Sequence, residues 1–446
     1  MRYKRYPKYK KCAVEWLEEV PAHWTVSRLR HVAPFFNSNV DKKGYDGQQA
    51  VRLCNYTDVY NNEFITPSLP FMEATATEEE IRQFAVRRGD VLITKDSEDP
   101  ADIGIPALIA DDIPGVVCGY HLTIIRPADV ITGRYLHRSI QSHPTKAHFF
   151  VEAPGITRYG LSQDAIGDTL VYLPPLSERT AISAALDRET ARIDALIEKK
   201  TRFVELLKEK REALITHAVT KGLNPKAKME DSEKEWLGNV PSHWSVAPFR
   251  AAVWYQEGPG ILAVDFRERG VPLLRVSSVQ QKIATLEGCN YLDPVKVSEK
   301  WEHFRVELGD LLVSASATTG KISEVDKETV GSVPYTGIIR MKAGHNVSKG
   351  YLKLFLTSGA FREQIELFKA GSTIQHYGPT HLSMMKIVLP PLEEQVDIER
   401  TISPQLCRID ELIERVAQSC ALLSERRDSL ITAAVTGQID LREEAA

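Results

Sequence analysis

The apolar positions of this chain fall into two long series with one spacing. In the first, Ile182, Leu186, Ile193, Leu196, Phe203, Leu207 and Leu214 sit on an alternating three-four repeat, with Glu, Lys and Arg at most positions between. The second places Ile398, Ile402, Ile409, Leu412, Val416, Leu423 and Leu430 on the same repeat, with Ser419 where the first has Phe203. Such a stripe predicts a long helix with an apolar seam, and two helices sharing a register are natural partners for each other. From 177 to 219 the first would be about 60 Å long at 1.5 Å per residue. Glu189, Lys200 and Lys210 interrupt its seam, and Pro404 predicts a bend early in the second. The alternative is two unrelated surface helices, each packed on its own domain.

Ahead of each helix the pattern changes to short β-branched runs, at 89–94, 116–125, 308–314 and 337–341, punctuated by glycine and proline. Helical patterns there are few and short, at 131–142 and 349–368. Each segment therefore predicts a compact α+β globule rather than a chain of βαβ units.

The two halves are copies. W-L-x-x-V-P-x-H-W opens at Trp16 and again at Trp236. Arg52 in V-R-L corresponds to Arg275 in L-R-V, and G-D-V-L from Gly89 corresponds to G-D-L-L from Gly309. Each half closes on L-P-P-L, from Leu173 and Leu389, and each helix ends on L-I-T-x-A-V-T, from Leu214 and Leu430. The order is kept, which defines a tandem duplication. The chain divides into a basic arm (1–15), a globule (16–172), a helix (173–222), a linker (223–235), a second globule (236–388), a second helix (389–438) and a tail (439–446). Gly222, Asn224 and Pro225 mark the linker as a surface segment after a helix end.

Composition narrows the function. The chain has 446 residues, 43% hydrophobic and 26% charged, with room for two or three domains. No apolar run approaches the roughly 20 residues of a bilayer span, so a cytoplasmic protein with no membrane partner is expected. The six cysteines are scattered without C-x-x-C pairing or zinc spacing, which supports neither a disulfide framework nor a bound metal. There is no phosphate loop, G-x-S-x-G elbow, H-E-x-x-H or Asn-Pro-Pro-aromatic motif, and the double prolines Pro174-Pro175 and Pro390-Pro391 belong to L-P-P-L. His137, His143, His148, His376 and His381 lack an accompanying carboxylate cluster and read as surface or hydrogen-bonded histidines. The net charge of −4 is unusual for a protein that neutralises many phosphates by itself. Either DNA is not the ligand, or other subunits supply much of the phosphate binding.

The W-L-x-x-V-P-x-H-W openers, L-P-P-L joints, paired helices and L-I-T-x-A-V-T endings together resemble the specificity subunits of type I restriction-modification systems. The resemblance spans nearly the whole chain. It implies an α+β fold with two target-recognition domains in tandem pseudo-repeat, each followed by a long helix, and the two helices pairing as an antiparallel coiled coil. It implies that each domain reads one half of a bipartite asymmetric target in double-stranded DNA. The helices would set the spacing and dock methylation subunits, with restriction subunits joining outside. On this reading the chain has no catalytic residues, and S-adenosylmethionine, ATP and Mg²⁺ are bound by the partners. A coiled-coil interaction scaffold without DNA specificity is the rival, and a solitary nuclease or methyltransferase of unknown motif is a second.

Base edges are read by polar side chains projecting into the major groove. The strongest candidates lie in a glycine-bounded loop before the last strand of each globule: Thr157, Arg158 and Tyr159 in the first, Thr373, Gln375, His376 and Tyr377 in the second. Lys95 and Ser97 follow the first G-D strand, and Lys321 follows the second. Arg52 and Arg275 suit either a phosphate contact or a structural ion pair. Trp24 and Trp244, at matched positions, read as core anchors. The arm at 1–11 interleaves basic and aromatic residues and reads as either a phosphate-tracking segment or a solvated tail.

Overall fold

The computed structural model of the chain describes residues 3–14, 17–280, 282–315, 321–369 and 377–442. They form two compact units, residues 1–201 with 418–446 and residues 202–417. Among the described residues, no helix is long and apolar enough to cross a membrane.

In the first unit the G-D-V-L motif starts the central strand Val91–Thr94, all four residues of which are buried. A strand covered on both faces is apolar throughout rather than alternating. It lies between Leu122–Ile125 and Pro106–Ile109 in a five-stranded sheet completed by Phe35–Asn37 and Phe64–Ile65. A second sheet places Gln49–Cys54 between Val116–Cys118 and Met72–Ala76. The second unit follows a related plan: G-D-L-L starts Leu311–Ser314, which lies between Ile338–Ala343 and Ile322–Glu324. Gly89 and Gly309 take φ of 90° and 85°, a left-handed turn that favours glycine.

The repeated aspartates anchor these strands. The Asp90 carboxylate accepts from Arg126 Nε at 3.0 Å and from the Arg87 backbone N–H at 2.9 Å. Asp310 does the same with Arg340 Nε at 2.5 Å and the Glu307 backbone N–H at 2.7 Å. Both carboxylates are buried, and burial without such partners would be costly.

The long helices run from Leu176 to Lys221 and from Leu392 to Val435, the second continuing through Pro404. The opener and helix start of each unit are joined by one carboxylate. Glu178 accepts from buried Trp24 Nε1 at 3.0 Å and meets His23 Nε2 at 2.8 Å. Glu394 accepts from Trp244 Nε1 at 2.9 Å and meets His243 Nε2 at 2.8 Å. The H-W dipeptide of each opener thus grips the first turn of the helix that follows it.

Each unit also holds the end of the other helix. In the first unit, Ile182, Ala185 and Leu186 share a core with Leu430, Ile431, Ala434 and Val435, and Tyr135 Oη donates to Tyr172 O at 2.5 Å and Val435 O at 3.1 Å. In the second, Ile215, Ala218 and Val219 share a core with Ile398, Ile402 and Leu406, and Tyr351 Oη donates to Val388 O at 2.8 Å and Val219 O at 3.2 Å. The threonine of L-I-T-x-A-V-T has the same task twice: Thr432 Oγ1 accepts the His143 N–H at 3.0 Å, and Thr216 Oγ1 accepts the Gly359 N–H at 2.7 Å.

Four sequence expectations change. The single helix expected at 349–368 is two, Lys349–Thr357 and Gly359–Lys369, parted at Ser358, whose hydroxyl accepts the Phe361 N–H at 3.3 Å. Of the predicted seam, Leu196, Phe203 and Leu412 are 45%, 46% and 39% exposed, while Ile193, Leu207, Ile409 and Leu430 are buried, and Leu214, Val416 and Leu423 lie between. Near the globules the seam residues join the cores of the two units, whereas Leu196, Phe203 and Leu412 stay largely in water. The arm is not a solvated tail: Tyr9–Val14 pairs with Leu17–Pro21, and Tyr6, 3% exposed, packs edge-on against Trp24. The linker is likewise structured, since Met229–Asp231 pairs with Asn239–Pro241 as the arm does with its own opener. The repeat therefore starts earlier than the openers, whose first residue, Trp16, lies outside the described residues.

Candidate nucleic-acid interface

Three segments distant in sequence meet on one face of the first unit. Tyr159–Gly160 pairs antiparallel with Asp96–Ser97, in the register Tyr159 to Ser97 and Gly160 to Asp96. The third segment is the turn before Leu122–Ile125, held where Gly119 N–H donates to Cys54 O at 2.8 Å and Tyr120 N–H to Val40 O at 3.0 Å. Lys95 joins them, its N–H donating to His121 O at 3.1 Å and its carbonyl accepting from Leu161 N–H at 2.7 Å.

Arg158 is 59% exposed at the side chain and donates from Nη2 to Asp96 Oδ1 at 2.8 Å. His121 Nδ1 lies 2.9 Å from Asp96 Oδ2 and 3.0 Å from the same Arg158 nitrogen. A carboxylate only accepts and a guanidinium only donates, so Nδ1 serves one of them at a time. Asp96 is the group that can satisfy both neighbours. Its hydrogen bond and charge raise the Arg158 pKa above its ordinary value.

Around this cluster lie aromatic faces and lysines. The Tyr120 and His121 rings are 3.7 Å apart, Tyr56 meets His121 edge-on at 6.4 Å, and Tyr56 stacks on Tyr60 at 5.6 Å. A hollow of about 260 Å³ is lined by Lys42, Asn55, Tyr56, Tyr120 and His121. Beside it, a basin of about 550 Å³ is lined by Lys42, Lys43, Lys95 and Tyr120. Lysine, arginine and tyrosine all reach phosphate oxygens, and arginine or lysine can also read a guanine edge.

The sequence candidates of the first unit, Thr157, Arg158, Tyr159, Lys95 and Ser97, are thus brought together, with Thr157 exposed and Ser97 half-buried. Tyr56, Tyr120, His121, Lys42 and Lys43 were not among them. The G-Y-H turn carries no periodic signal, although a tyrosine and a histidine between two apolar strands could have marked it.

In the second unit Lys321 is exposed, and its carbonyl accepts the Ser314 N–H at 2.9 Å. Thr373, Gln375 and His376 lie outside the described residues. Tyr377 is a correction: it is 2% exposed, packs edge-on against Phe361 at 6.5 Å and donates through Oη to Ser314 O at 3.4 Å. Its ring fills the core because the apolar interior, not the polar loop centre, claims the last residue before Gly378. Arg52 donates to Pro114 O at 2.6 Å and Arg275 lies 4.2 Å from the Tyr335 ring centroid.

The histidines differ in fate. His137 is buried, and burial holds its pKa well below the ordinary value, so it is neutral. His148 Nε2 meets Ala165 O at 2.8 Å, and His381 Nδ1 accepts the Gly378 N–H at 3.1 Å. Among the described residues, no three His, Cys, Asp or Glu side chains group as a metal site.

Two α+β units, each gripping its own long helix and the end of the other, define a duplicated module with a polar and aromatic face. Residues 274–417 match the family model of the type I restriction modification DNA specificity domain. The chain is 20% identical over 431 residues to the type I restriction enzyme MjaVIII specificity subunit of Methanocaldococcus jannaschii, covering 95% of this chain and 94% of that one. It is 21% identical over 436 residues to the EcoKI specificity subunit of Escherichia coli K12, covering 94% and 90%. A solved chain from work on complex assembly and conformational transition of the type I R-M system shares the fold, with a TM-score of 0.68 at 16% identity over 93% of this chain and 98% of that one. These type I specificity subunits, which the repeats of the chain also resemble, are what it is similar to along most of its length.

Proposed function

We propose that this chain is the DNA-recognition subunit of a type I restriction-modification complex, non-catalytic by itself, with each unit reading one half of a bipartite target. The observation that carries the reading is the duplication of the scaffold: Glu178 and Glu394, Tyr135 and Tyr351, Thr432 and Thr216 make matching bonds in units whose loops differ. A repeated scaffold with unlike loops presents two similar surfaces that recognise unlike sequences. In the first unit the readers are Arg158, Tyr159, Thr157, Lys95 and Ser97, joined by His121, Tyr120 and Tyr56. In the second they are Lys321, Thr373, Gln375 and His376.

The long helices pair as an antiparallel coiled coil that fixes the distance between half-sites and docks methylation subunits. Two ion pairs at matching positions support that register: Arg427 Nε to Asp194 Oδ1 at 3.0 Å in the first unit and Arg211 Nε to Asp410 Oδ1 at 2.9 Å in the second. The partners bind S-adenosylmethionine, ATP and Mg²⁺, and restriction subunits join them, all in the cytoplasm. The net charge of −4 fits a reader whose partners supply part of the phosphate binding. A scaffold without DNA specificity leaves the clustered Arg158, Lys42, Lys43 and Lys95 without a task. The test is to express the chain with its methylation subunits and map methylated adenines across a genome. A split motif with a fixed gap is expected; an uninterrupted motif, or no motif, would overturn the reading.

A further inference from the structure

We propose, on the functional reading above, that Asp96 is a positioning residue that sets the Arg158 guanidinium to read a guanine in the half-site of the first unit. Asp96 stands on one strand of a short ladder, opposite Gly160, and Arg158 immediately precedes the other strand at Tyr159. His121 Nδ1 at 2.9 Å anchors the second oxygen of Asp96, so the carboxylate is fixed from behind while the arginine, 59% exposed, faces solvent.

Charge decides between base and phosphate. An arginine meant for phosphate keeps its positive charge free, whereas one already paired with a carboxylate is neutral as a pair and would bring that carboxylate towards a phosphate. What the pair retains is direction. Asp96 occupies one Nη2 proton, and the remaining donors are Nη1, Nε and the second proton of an Nη2 that also lies 3.0 Å from His121 Nδ1. Guanine offers O6 and N7 as two adjacent acceptors in the major groove; adenine places a donor beside its N7. A donor-only fork held in place therefore selects guanine. The adjacent basin, lined by Lys42, Lys43 and Lys95 against the single carboxylate of Asp41, is net positive and suits the phosphates of the same strand.

The test uses the chain in complex with its methylation subunits on duplexes carrying every single base-pair change in the mapped half-site. Arg158→Ala should lose roughly 5- to 150-fold discrimination at one base pair, the range of one bidentate base contact. That pair should be G·C. Asp96→Ala should lose discrimination at the same pair and at no other, and should add nothing in the Arg158→Ala background. Asp96→Asn, which keeps an acceptor oxygen, should retain part of it. Unchanged discrimination in Asp96→Ala, an even loss over all sequences, an additive effect in the double variant, or an A·T pair as the sensitive position would overturn the proposal. If Asp96→Ala fails to fold, as thermal unfolding would show, Asp96→Asn decides: full discrimination at the sensitive pair overturns the proposal too. A wild-type complex that methylates no split sequence would overturn the function on which the inference rests.

Discussion

Replacing Glu178 with alanine tests how the first unit is joined to its helix. The Glu178 side chain is 11% exposed and accepts from the indole N–H of Trp24, which is fully buried. Without it that N–H has no acceptor, and an unsatisfied buried donor costs about 1–3 kcal/mol. The contacts to His23 and Arg442, 42% and 39% exposed at the side chain, are screened by solvent and add little. A loss of about 1–3 kcal/mol lowers the melting temperature of a unit this size by about 2–12 °C. Glu178→Gln keeps a carbonyl oxygen for the indole and should lose less than half as much. Differential scanning calorimetry of the full chain reads both variants. A Glu178→Ala melting temperature within about 1 °C of wild type would refute the reasoning. So would a glutamine variant as damaged as the alanine one, because the negative charge would then matter and the indole acceptor would not.

The same logic applies to Glu394→Ala in the second unit, where Trp244 is 7% exposed: calorimetry should show a loss of the same sign, made smaller by water reaching the indole. Inserting four residues between Leu196 and Leu207 lengthens the helix by about 6 Å at 1.5 Å per residue. At about 3.4 Å per base pair, methylation mapping should show the gap between half-sites shifted by one or two base pairs with both half-sites intact. An altered half-site with an unchanged gap would restrict the helices to partner docking.

The scaffold was legible because its tasks recur. The H-W dipeptide, L-P-P-L and L-I-T-x-A-V-T stand out as repeats, and the structure gives each a bond: indole to Glu178 or Glu394, the first proline carbonyl to Arg179 or Gln395, and threonine to the start of a short helix. The carboxylates themselves escaped notice, since a glutamate in the first turn of a helix is common and its partner lies some 150 positions earlier. The interface was half legible. Arg158 and Lys95 sit in loops whose glycine or polar composition shows locally, whereas Tyr120 and His121 owe their place to pairing between distant strands. Tyr377 shows the limit from the other side: a polar loop pattern does not reveal which of its residues turns inward. The order of the arm is hidden for a related reason, because basic residues at 2–11 mask the burial of Tyr6 against Trp24.

Whether the two units read separate half-sites is decided most directly by exchange. Residues 35–160 of the first unit, which carry its five- and three-stranded sheets and the Arg158 face but not the opener or the helix, would be replaced by the counterpart from a specificity subunit of different target, and methylated adenines mapped. One half-site should change to that of the donor while the other half-site and the gap stay as they were. A change in both half-sites, or in neither, would contradict the account.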